Sequence, residues 1–307
     1  MALAVLAALW LLSALAFASV LGWPWELACH FRAHYAILFV ILSGVFAWQR
    51  RWPAMAIALA GYAVNAAFVV SLYALPPADG LPSTGRRYRA VMLNVLADNG
   101  RYDGSIHYLA ASDADILAVI EPHSRWMLEL AALRASYPFV EALPAELGFG
   151  IALFSRIVPE QVEVLNFGQA QRPSIVVRLN LQGRRLVLIA THPRAPVGPG
   201  EFSLRNRHLD AMAEFVAQQA HPVLILGDLN VTSWSSDFRR MMRVARLRDS
   251  REGRGPQGSW PAFVPSWLGI AIDHALHTDG VRIHQRRVGP AVGSDHRPVV
   301  VEFSVER

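Results

Sequence analysis

The sequence of 307 residues contains no lysine and a single cysteine, Cys29. One cysteine excludes an internal disulfide framework and a zinc site built from several thiolates. Charged residues make up only 17% of the chain, against 53% hydrophobic residues, and the mean hydropathy is +0.27. This composition is too apolar for an ordinary soluble protein of this size, so we expect part of the chain to lie in a membrane.

The formal net charge of +5 does not mark a nucleic-acid-binding surface. Residues 1–75 carry three arginines and one acidic residue, Glu26, which is a net charge of +2. The other 26 arginines stand against 23 acidic residues, which is a net charge of +3. The polar part of the chain is therefore only mildly basic, and its charge alone does not predict a nucleic acid partner.

Three apolar stretches lie near the N-terminus: Ala2–Leu21, Ala33–Gln49 and Trp52–Ala78. About 20 apolar residues are enough for a helix to cross a bilayer, so these stretches predict a bundle of three transmembrane helices. A cleaved signal peptide is the alternative for the first stretch. Its start has no basic residue, however, and two apolar stretches would remain unexplained.

The short segment Gln49-Arg50-Arg51 indicates the orientation. Under the positive-inside rule this loop is cytoplasmic, which places the rest of the chain outside the cytoplasm. Arg86, Arg87 and Arg89 follow the third stretch and argue for the opposite orientation. We predict a multi-pass protein of a bacterial inner membrane, with its polar domain on the extracytoplasmic side.

The domain organisation follows from these stretches and from a Pro/Gly-rich segment. We predict a transmembrane region over residues 1–75, a linker over 76–87 and a second domain over 88–307. The second domain alternates short apolar runs with helical segments, which is typical of an α/β fold. The candidate strands are Tyr88–Leu93, Ile116–Ile120, Phe149–Ser155, Ser174–Leu181, Arg185–Ala190, Val223–Leu226, Ile272–Leu276 and Val299–Phe303. Two of them, joined by Gln182-Gly183-Arg184, form a predicted hairpin, which favours packed mixed sheets over one doubly wound sheet.

Polar residues suited to binding metal or phosphate recur next to these strands. They are Asn94, Glu121, His192, Asp228, Asn230, Asp295 and His296. Singly, each has an ordinary structural explanation, such as a turn residue for Asn94 or an exposed strand end for Glu121. Together they predict one site at the rim of the sheets, where sites are commonly built.

From about residue 88 onward the chain resembles the endonuclease/exonuclease/phosphatase superfamily, which has the deoxyribonuclease I-like fold. The matching stretches are, in order, Met92-Leu93-Asn94-Val95, Asp115 to Glu121, Gly150 to Arg156, Thr191-His192-Pro193, Gly227-Asp228-Leu229-Asn230, Gly258-Ser259-Trp260-Pro261, Ile272-Asp273-His274 and Gly293 to Pro298. The resemblance implies a four-layer αββα sandwich, in which two mixed β-sheets pack between helices.

The resemblance also implies a metal site. Glu121 would bind a divalent metal with support from Asn94, and Asp295 would be a further ligand. Carboxylate and amide oxygens suit Mg²⁺, with Mn²⁺ as the alternative ion.

The remaining roles are also implied by the resemblance. Asp228 and Asn230 would orient and deprotonate the attacking water, and their spacing of two puts both side chains on one face of an extended segment. His296 would bind the scissile phosphate, with its ring held by Asp273, and His192 would contact phosphate or serve as a second acid. Trp260 would line the substrate groove, although core packing explains this residue equally well.

The combined prediction is a membrane-anchored, Mg²⁺-dependent phosphoesterase that hydrolyses a phosphodiester by in-line attack of water, in the manner of a nuclease. Its substrate would be a nucleic acid, a phospholipid head group or a soluble phosphate ester, and no protein partner is indicated. One alternative is a phospholipid or sphingomyelin phosphodiesterase of the same fold. Another is a membrane-tethered binding domain that has lost its activity, although all the implied site residues are present.

Overall fold

The structure is a computed structural model that describes residues 1–74 and 85–306. Most of the predicted linker over residues 76–87 lies outside the described residues. The α-helices are α1 (Ala2–Leu15), α2 (Trp25–Cys29), α3 (Arg32–Trp48), α4 (Trp52–Ala74), α5 (Tyr102–Ala111), α6 (Ser124–Glu129), α7 (Pro199–Ala217) and α8 (Ser236–Val244). The strands are β1 (Tyr88–Asn94), β2 (Ile116–Ile120), β3 (Phe139–Leu143), β4 (Ile151–Ser155), β5 (Gln161–Leu165), β6 (Ser174–Leu181), β7 (Arg184–Thr191), β8 (Val223–Asp228), β9 (Arg248–Asp249), β10 (Asp273–His277), β11 (Val281–Val288) and β12 (Val299–Val305).

The N-terminal helices pack around a small core of their own. Phe39 and Phe46 of α3 are fully buried against Ala58 of α4, and the ring of Trp10 from α1 packs edge-on to Phe39. A tight turn at residues 49–51 joins α3 to α4, so the two longest apolar helices lie side by side.

Within the described residues, only α4 is long and apolar enough to cross a membrane. The predicted span Ala2–Leu21 is divided into α1 and a 3₁₀ turn at Ala18–Leu21. At about 1.5 Å per residue, α1 is roughly 21 Å long and α3 roughly 25 Å, which is less than the hydrocarbon thickness of about 30 Å. One such helix is weak support for a membrane protein, so the bundle of three spans stays a prediction.

The second region contains two six-stranded sheets. One has the strand order β11-β12-β1-β2-β4-β3 and the other β5-β6-β7-β8-β10-β9. Both sheets are mixed, because one parallel pair lies among antiparallel pairs in each: β1 with β2, and β7 with β8.

The two sheets pack face to face. Their strands are rich in Val, Ile and Leu, and inward-facing residues such as Met92, Ile120, Leu188 and Leu226 form the central core. Helices α5 and α6 cover the outer face of the first sheet, and α7 and α8 cover that of the second. The predicted architecture of two mixed sheets flanked by helices is confirmed.

The two parallel pairs position the site. Parallel strands end at the same edge of a sheet, so β1 and β2 deliver their following residues to one point, and β7 and β8 do the same in the facing sheet. Strand β10 runs antiparallel to β8, and its first residue, Asp273, lies opposite Asp228. Loops from both sheets therefore meet at one edge of the sandwich.

Candidate active site

Three polar side chains join the two sheets at this edge. The Asn94 side-chain nitrogen, at the end of β1, donates to Glu121 Oε1 at 2.9 Å and to Asp228 Oδ2 at 3.1 Å. Glu121 follows β2 in the same sheet as Asn94, whereas Asp228 ends β8 in the other sheet. The predicted residues from both sheets thus form one hydrogen-bonded cluster.

Glu121 is held in a specific backbone and side-chain conformation. Its φ is +65°, a left-handed conformation that costs a non-glycine residue on the order of 1 kcal/mol and is common at functional sites. Its Oε2 accepts the Ala97 N–H at 3.1 Å. A Cβ at Gly148 would lie 3.1 Å from the same Oε2, so only glycine leaves this carboxylate its full space.

His296 and Asp273 form a buried ion pair beside this cluster. The Nδ1 of His296 lies 2.8 Å from Asp273 Oδ2, and the Ser294 hydroxyl accepts the His296 main-chain N–H at 3.0 Å. Burial alone would lower the pKa of His296, but the Asp273 and Asp228 carboxylates outweigh it and raise this pKa to about 10. His296 is therefore an imidazolium at neutral pH. Its Nδ1 pairs with Asp273, which leaves Nε2 for other partners.

His192 has the opposite character. Burial, with a contribution from the Arg172 guanidinium, holds the pKa of His192 well below its usual value, so its ring is neutral. The Asn230 side-chain nitrogen lies 3.0 Å from the Pro193 carbonyl oxygen, which can only accept, and 3.2 Å from His192 Nε2. The Asn230 amide therefore donates to His192, whose ring accepts at Nε2.

Asp228 lies between the two histidines. Its Oδ2 is 3.7 Å from Nε2 of both His192 and His296, and its Oδ1 accepts the Asn230 main-chain N–H at 2.9 Å. Burial, reinforced by the Asp273 carboxylate, raises the pKa of Asp228 to about 7. A carboxylate with such a pKa can exchange a proton near neutral pH, as a general base must.

Asp295 and Trp260 lie on the His296 side of the cluster. The Trp260 indole donates to Asp295 Oδ2 at 3.0 Å, and Asp295 Oδ1 is 3.9 Å from His296 Nε2. In the part of the chain that the structure describes, no hydrogen bond joins Asp295 to Asn94 or Glu121. The role of Asp295 as a metal ligand stays a prediction, whereas Trp260 does line the cleft that contains the site.

The cluster has the chemistry that a divalent cation requires. Glu121 and Asp228 place carboxylate oxygens about 3 Å from one shared amide nitrogen, and a cation would neutralise these two acids. Asn94 Oδ1 accepts the Leu96 N–H, so a half-turn of the Asn94 amide would be needed to present its oxygen to a metal.

A second possible ligand set is Asp228, Asp273 and His296, whose ligand atoms lie within 4.8 Å of one another. The protonated ring of His296 is not a metal ligand, because coordination requires a deprotonated nitrogen. The Asn94 and Glu121 set is therefore the better candidate for a metal site, and that assignment stays a prediction.

The structure adds residues that sequence reasoning missed. The cleft has a volume of about 840 Å³, and Arg172 lines it beside Glu121 and His192. The Arg172 guanidinium stacks on Phe149, 3.5 Å from the ring centroid, and donates to the Gly148 carbonyl oxygen at 3.1 Å. A lone arginine before a strand has no recognisable motif, so the sequence offered no signal for it.

Three further cleft residues come from the N-terminal region: Leu27, His30 and Phe31. They belong to the short segment between the first two predicted spans, for which no role in a site was predicted. The only available signal was Glu26, an acidic residue within an otherwise apolar region, which requires a partner if it is buried.

Comparison with solved structures shows the same fold in other proteins. D. rerio TDP2 in complex with a single-stranded DNA product has a TM-score of 0.61 at 15% identity, over 71% of this chain and 99% of that one. An endonuclease/exonuclease/phosphatase family protein from Bacteroides thetaiotaomicron has a TM-score of 0.61 at 17% identity, over 73% and 100% of the chains. The human Nocturnin catalytic domain with bound sulfate has a TM-score of 0.56 at 17% identity, over 75% and 99%.

A comparison with curated protein sequences gives no match. The sequence pattern of the endonuclease/exonuclease/phosphatase family matches residues 91–296, which extend from β1 to His296 and include every predicted site residue. That range is about two thirds of the chain. The chain therefore belongs to the endonuclease/exonuclease/phosphatase family.

Proposed function

We propose that this protein is a membrane-anchored, Mg²⁺-dependent phosphodiesterase. The observation that supports the proposal most strongly is the Asn94 amide, which bridges Glu121 of one sheet and Asp228 of the other next to the His296–Asp273 pair. Carboxylates, an imidazolium and a neutral imidazole then face one cleft. This is the arrangement that water activation and phosphate binding require.

The reaction is an in-line displacement at phosphorus. Asp228, oriented through the Asn230 N–H, accepts a proton from the attacking water while the water oxygen bonds to phosphorus. His296 binds a phosphate oxygen and gives its proton to the leaving alcohol oxygen as the P–O bond breaks. Asp273 keeps the imidazolium oriented, and His192 with Asn230 adds hydrogen-bonding groups on the other side of Asp228.

Glu121 and Asn94 would hold the divalent cation. When bound, the cation supplies positive charge to the phosphate oxygens. Arg172 adds a further positive charge to the same cleft without taking part in proton transfer.

For the location, we propose that the N-terminal helices anchor the catalytic domain to the extracytoplasmic side of a bacterial inner membrane. The Arg50-Arg51 turn supports this orientation, because it lies at the end of α4 opposite to the end that leads into the catalytic domain. Two of the three competing arginines form ion pairs in the folded domain: Arg89 with Glu302 at 2.8 Å and Arg86 with Asp115 at 3.5 Å.

The test uses the full-length protein in detergent with bis-p-nitrophenyl phosphate and Mg²⁺, Mn²⁺ or EDTA. We expect turnover with the metals and none with EDTA. Asp228→Asn and His296→Gln should each lower kcat by about 10² to 10⁴, the usual contribution of a positioned acid or base.

The matched controls for this test are Asp210→Asn and His107→Gln. Both residues are on outer helices, Asp210 in a surface ion pair and His107 exposed to solvent, and both variants should keep wild-type rates. Near-wild-type rates in the folded Asp228 and His296 variants would refute the site assignment. A folded wild-type protein with no turnover would instead indicate an inactive binding domain.

A further inference from the structure

Part of the lining of the catalytic cleft does not come from the two-sheet domain. The cleft has polar lining residues, among them Glu121, His192 and His296. It also has apolar lining residues from the N-terminal segment and from two loops of the catalytic domain. This apolar set, called the wall below, consists of Leu27, Phe31, Ala195, Pro196, Val197 and Ile270.

The N-terminal part of this wall is firmly attached. Glu26 of α2 forms an ion pair with Arg205 of α7 at 2.7 and 2.8 Å, and neither side chain is accessible to solvent. Arg205 also donates to the Asn230 carbonyl oxygen at 3.1 Å. One buried arginine thus links the wall to a residue of the catalytic cluster.

Further hydrogen bonds hold the segment on either side of this ion pair. The Trp23 indole donates to the Pro196 carbonyl oxygen at 3.1 Å, and His30 Nδ1 lies 2.9 Å from the Thr232 hydroxyl. His30 Nε2 is buried and lies 3.9 Å from Glu26 Oε2. The wall therefore keeps a fixed position relative to Asp228.

The wall leads directly into the apolar helices. Helix α3 begins at Arg32, the residue after Phe31, and Phe31 is 40% exposed. A second cavity of about 720 Å³ lies between α3, α4 and the loop that carries Trp267, and most of its lining is apolar. Apolar surface is thus present both in the catalytic cleft and on α3 and α4, the helices that we propose to lie in the bilayer.

This wall is poorly suited to a polynucleotide. Nucleic acid binding needs positive charges along the phosphates that flank the scissile one, often with stacking platforms. Among the described cleft-lining residues, Arg172 is the only arginine. In the wall, Leu27 and Phe31 would desolvate a neighbouring phosphate without compensating its charge.

We propose that the substrate is a membrane lipid phosphodiester, whose phosphate binds the polar residues of the cleft while its hydrocarbon lies against Leu27 and Phe31. This inference rests on the proposed phosphodiesterase function and narrows its substrate class. The bond changes are those given above: water oxygen bonds to phosphorus, and the P–O bond to the leaving alcohol breaks.

The test compares two esters with the same leaving group, methyl p-nitrophenyl phosphate and hexadecyl p-nitrophenyl phosphate. The full-length protein in mixed detergent micelles with Mg²⁺ should show a kcat/KM at least tenfold higher for the hexadecyl ester. Leu27→Ser should lower the ratio of the two kcat/KM values at least fivefold. Phe31→Ser, at a half-exposed position that tolerates substitution, should do the same.

The matched control is Leu128→Ser, because Leu128 is 68% exposed on α6 and does not line the cleft. This variant should leave the ratio of the two kcat/KM values unchanged. The control thereby distinguishes binding of the hydrocarbon chain at the wall from simple concentration of the long-chain ester in micelles. An unchanged ratio in both wall variants would overturn the inference, and so would a higher kcat/KM for a single-stranded DNA oligonucleotide than for the hexadecyl ester. In either case turnover of the methyl ester would leave the proposed function standing, whereas no metal-dependent turnover of any ester would remove both.

Discussion

The two regions of this protein differ in how many large hydrophobic side chains they expose. Residues 1–74 expose twenty large hydrophobic side chains, whereas the described residues 85–306, about three times as many, expose eight. Exposure of an apolar surface as dense as that of the first region is unfavourable in water, whereas it is favourable in a bilayer. This difference supports the proposed membrane location of the first region, and the candidate cleft contains residues of both regions.

The charged residues show the same contrast. The catalytic domain distributes its acids over ion pairs and the candidate site, whereas the first region has a single acid, Glu26. That residue pairs with Arg205 of the catalytic domain rather than within its own region. The apolar helices are therefore attached to the catalytic domain by a buried polar contact, and they are more than a tether.

The test of this contrast with the largest expected effect concerns the orientation of the helices in the membrane. A reporter enzyme that is active only outside the cytoplasm, fused after Arg307, should be fully active, because the positive turn at Arg50 directs that end of the helices inward. The same reporter inserted after Arg50 should be inactive. The reverse pattern would invert the orientation, and a soluble, inactive fusion at both positions would show that the helices do not enter a membrane.

The next test breaks the contact between the regions. Glu26→Ala should destabilise the full-length protein by about 3 kcal/mol, because it leaves Arg205 buried without its main counter-charge. Nearby Asn206 and Asp237 compensate only in part. Urea unfolding followed by tryptophan fluorescence measures the change.

The control for Glu26 is Glu129→Ala. Glu129 also pairs with an arginine in a short helix, at 2.6 Å from Arg125, but this pair is largely exposed to solvent. Loss of this ion pair should lower the free energy of unfolding by less than about 0.5 kcal/mol. Equal effects of the two substitutions would mean that the buried pair does not hold the regions together.

The sequence predicted the centre of each sheet and missed the edges. All eight predicted strands are present, and so is the hairpin of β6 and β7. The four strands not predicted are β3, β5, β9 and β11, which are the two edge strands of each sheet. Central strands are buried on both faces and appear as apolar runs, whereas edge strands carry polar residues that hide this pattern, as in Val281-Arg282-Ile283-His284-Gln285-Arg286 of β11.

The candidate site, too, could be predicted from the sequence only in part. Asn94, Glu121 and Asp228 were predictable because they follow apolar strands whose ends must converge. Leu27 and Phe31 were not, because their place in the cleft depends on an ion pair between residues 26 and 205. Arg205 lies on α7 and is fully buried, and no local sequence pattern indicates that burial.

The smallest effect concerns the packing inside the apolar region. A Cβ at Gly61 of α4 would lie 2.5 Å from the ring of Phe39 in α3, whereas a Cβ at Gly44 of α3 would meet no atom within 4 Å. Close approach of helices at small residues is a main source of helix association in a bilayer, where the hydrophobic effect between helices is lost. Gly61→Ala should therefore lower the free energy of unfolding by about 1 to 3 kcal/mol through overpacking. Gly44→Ala should change it by less than about 0.5 kcal/mol.

Thermal unfolding of the detergent-purified protein, followed through the near-UV circular dichroism of its tryptophans, distinguishes these two variants. The pair is informative because both substitutions add the same methyl group to an apolar helix and differ only in what that methyl meets. If the two variants unfold alike, α3 and α4 do not pack through Gly61, and the wall that continues from α3 into the cleft loses its rigid support. If only Gly61→Ala is destabilised, the apolar region is a packed unit, and a packed unit can hold Leu27 and Phe31 in place beside the phosphate site.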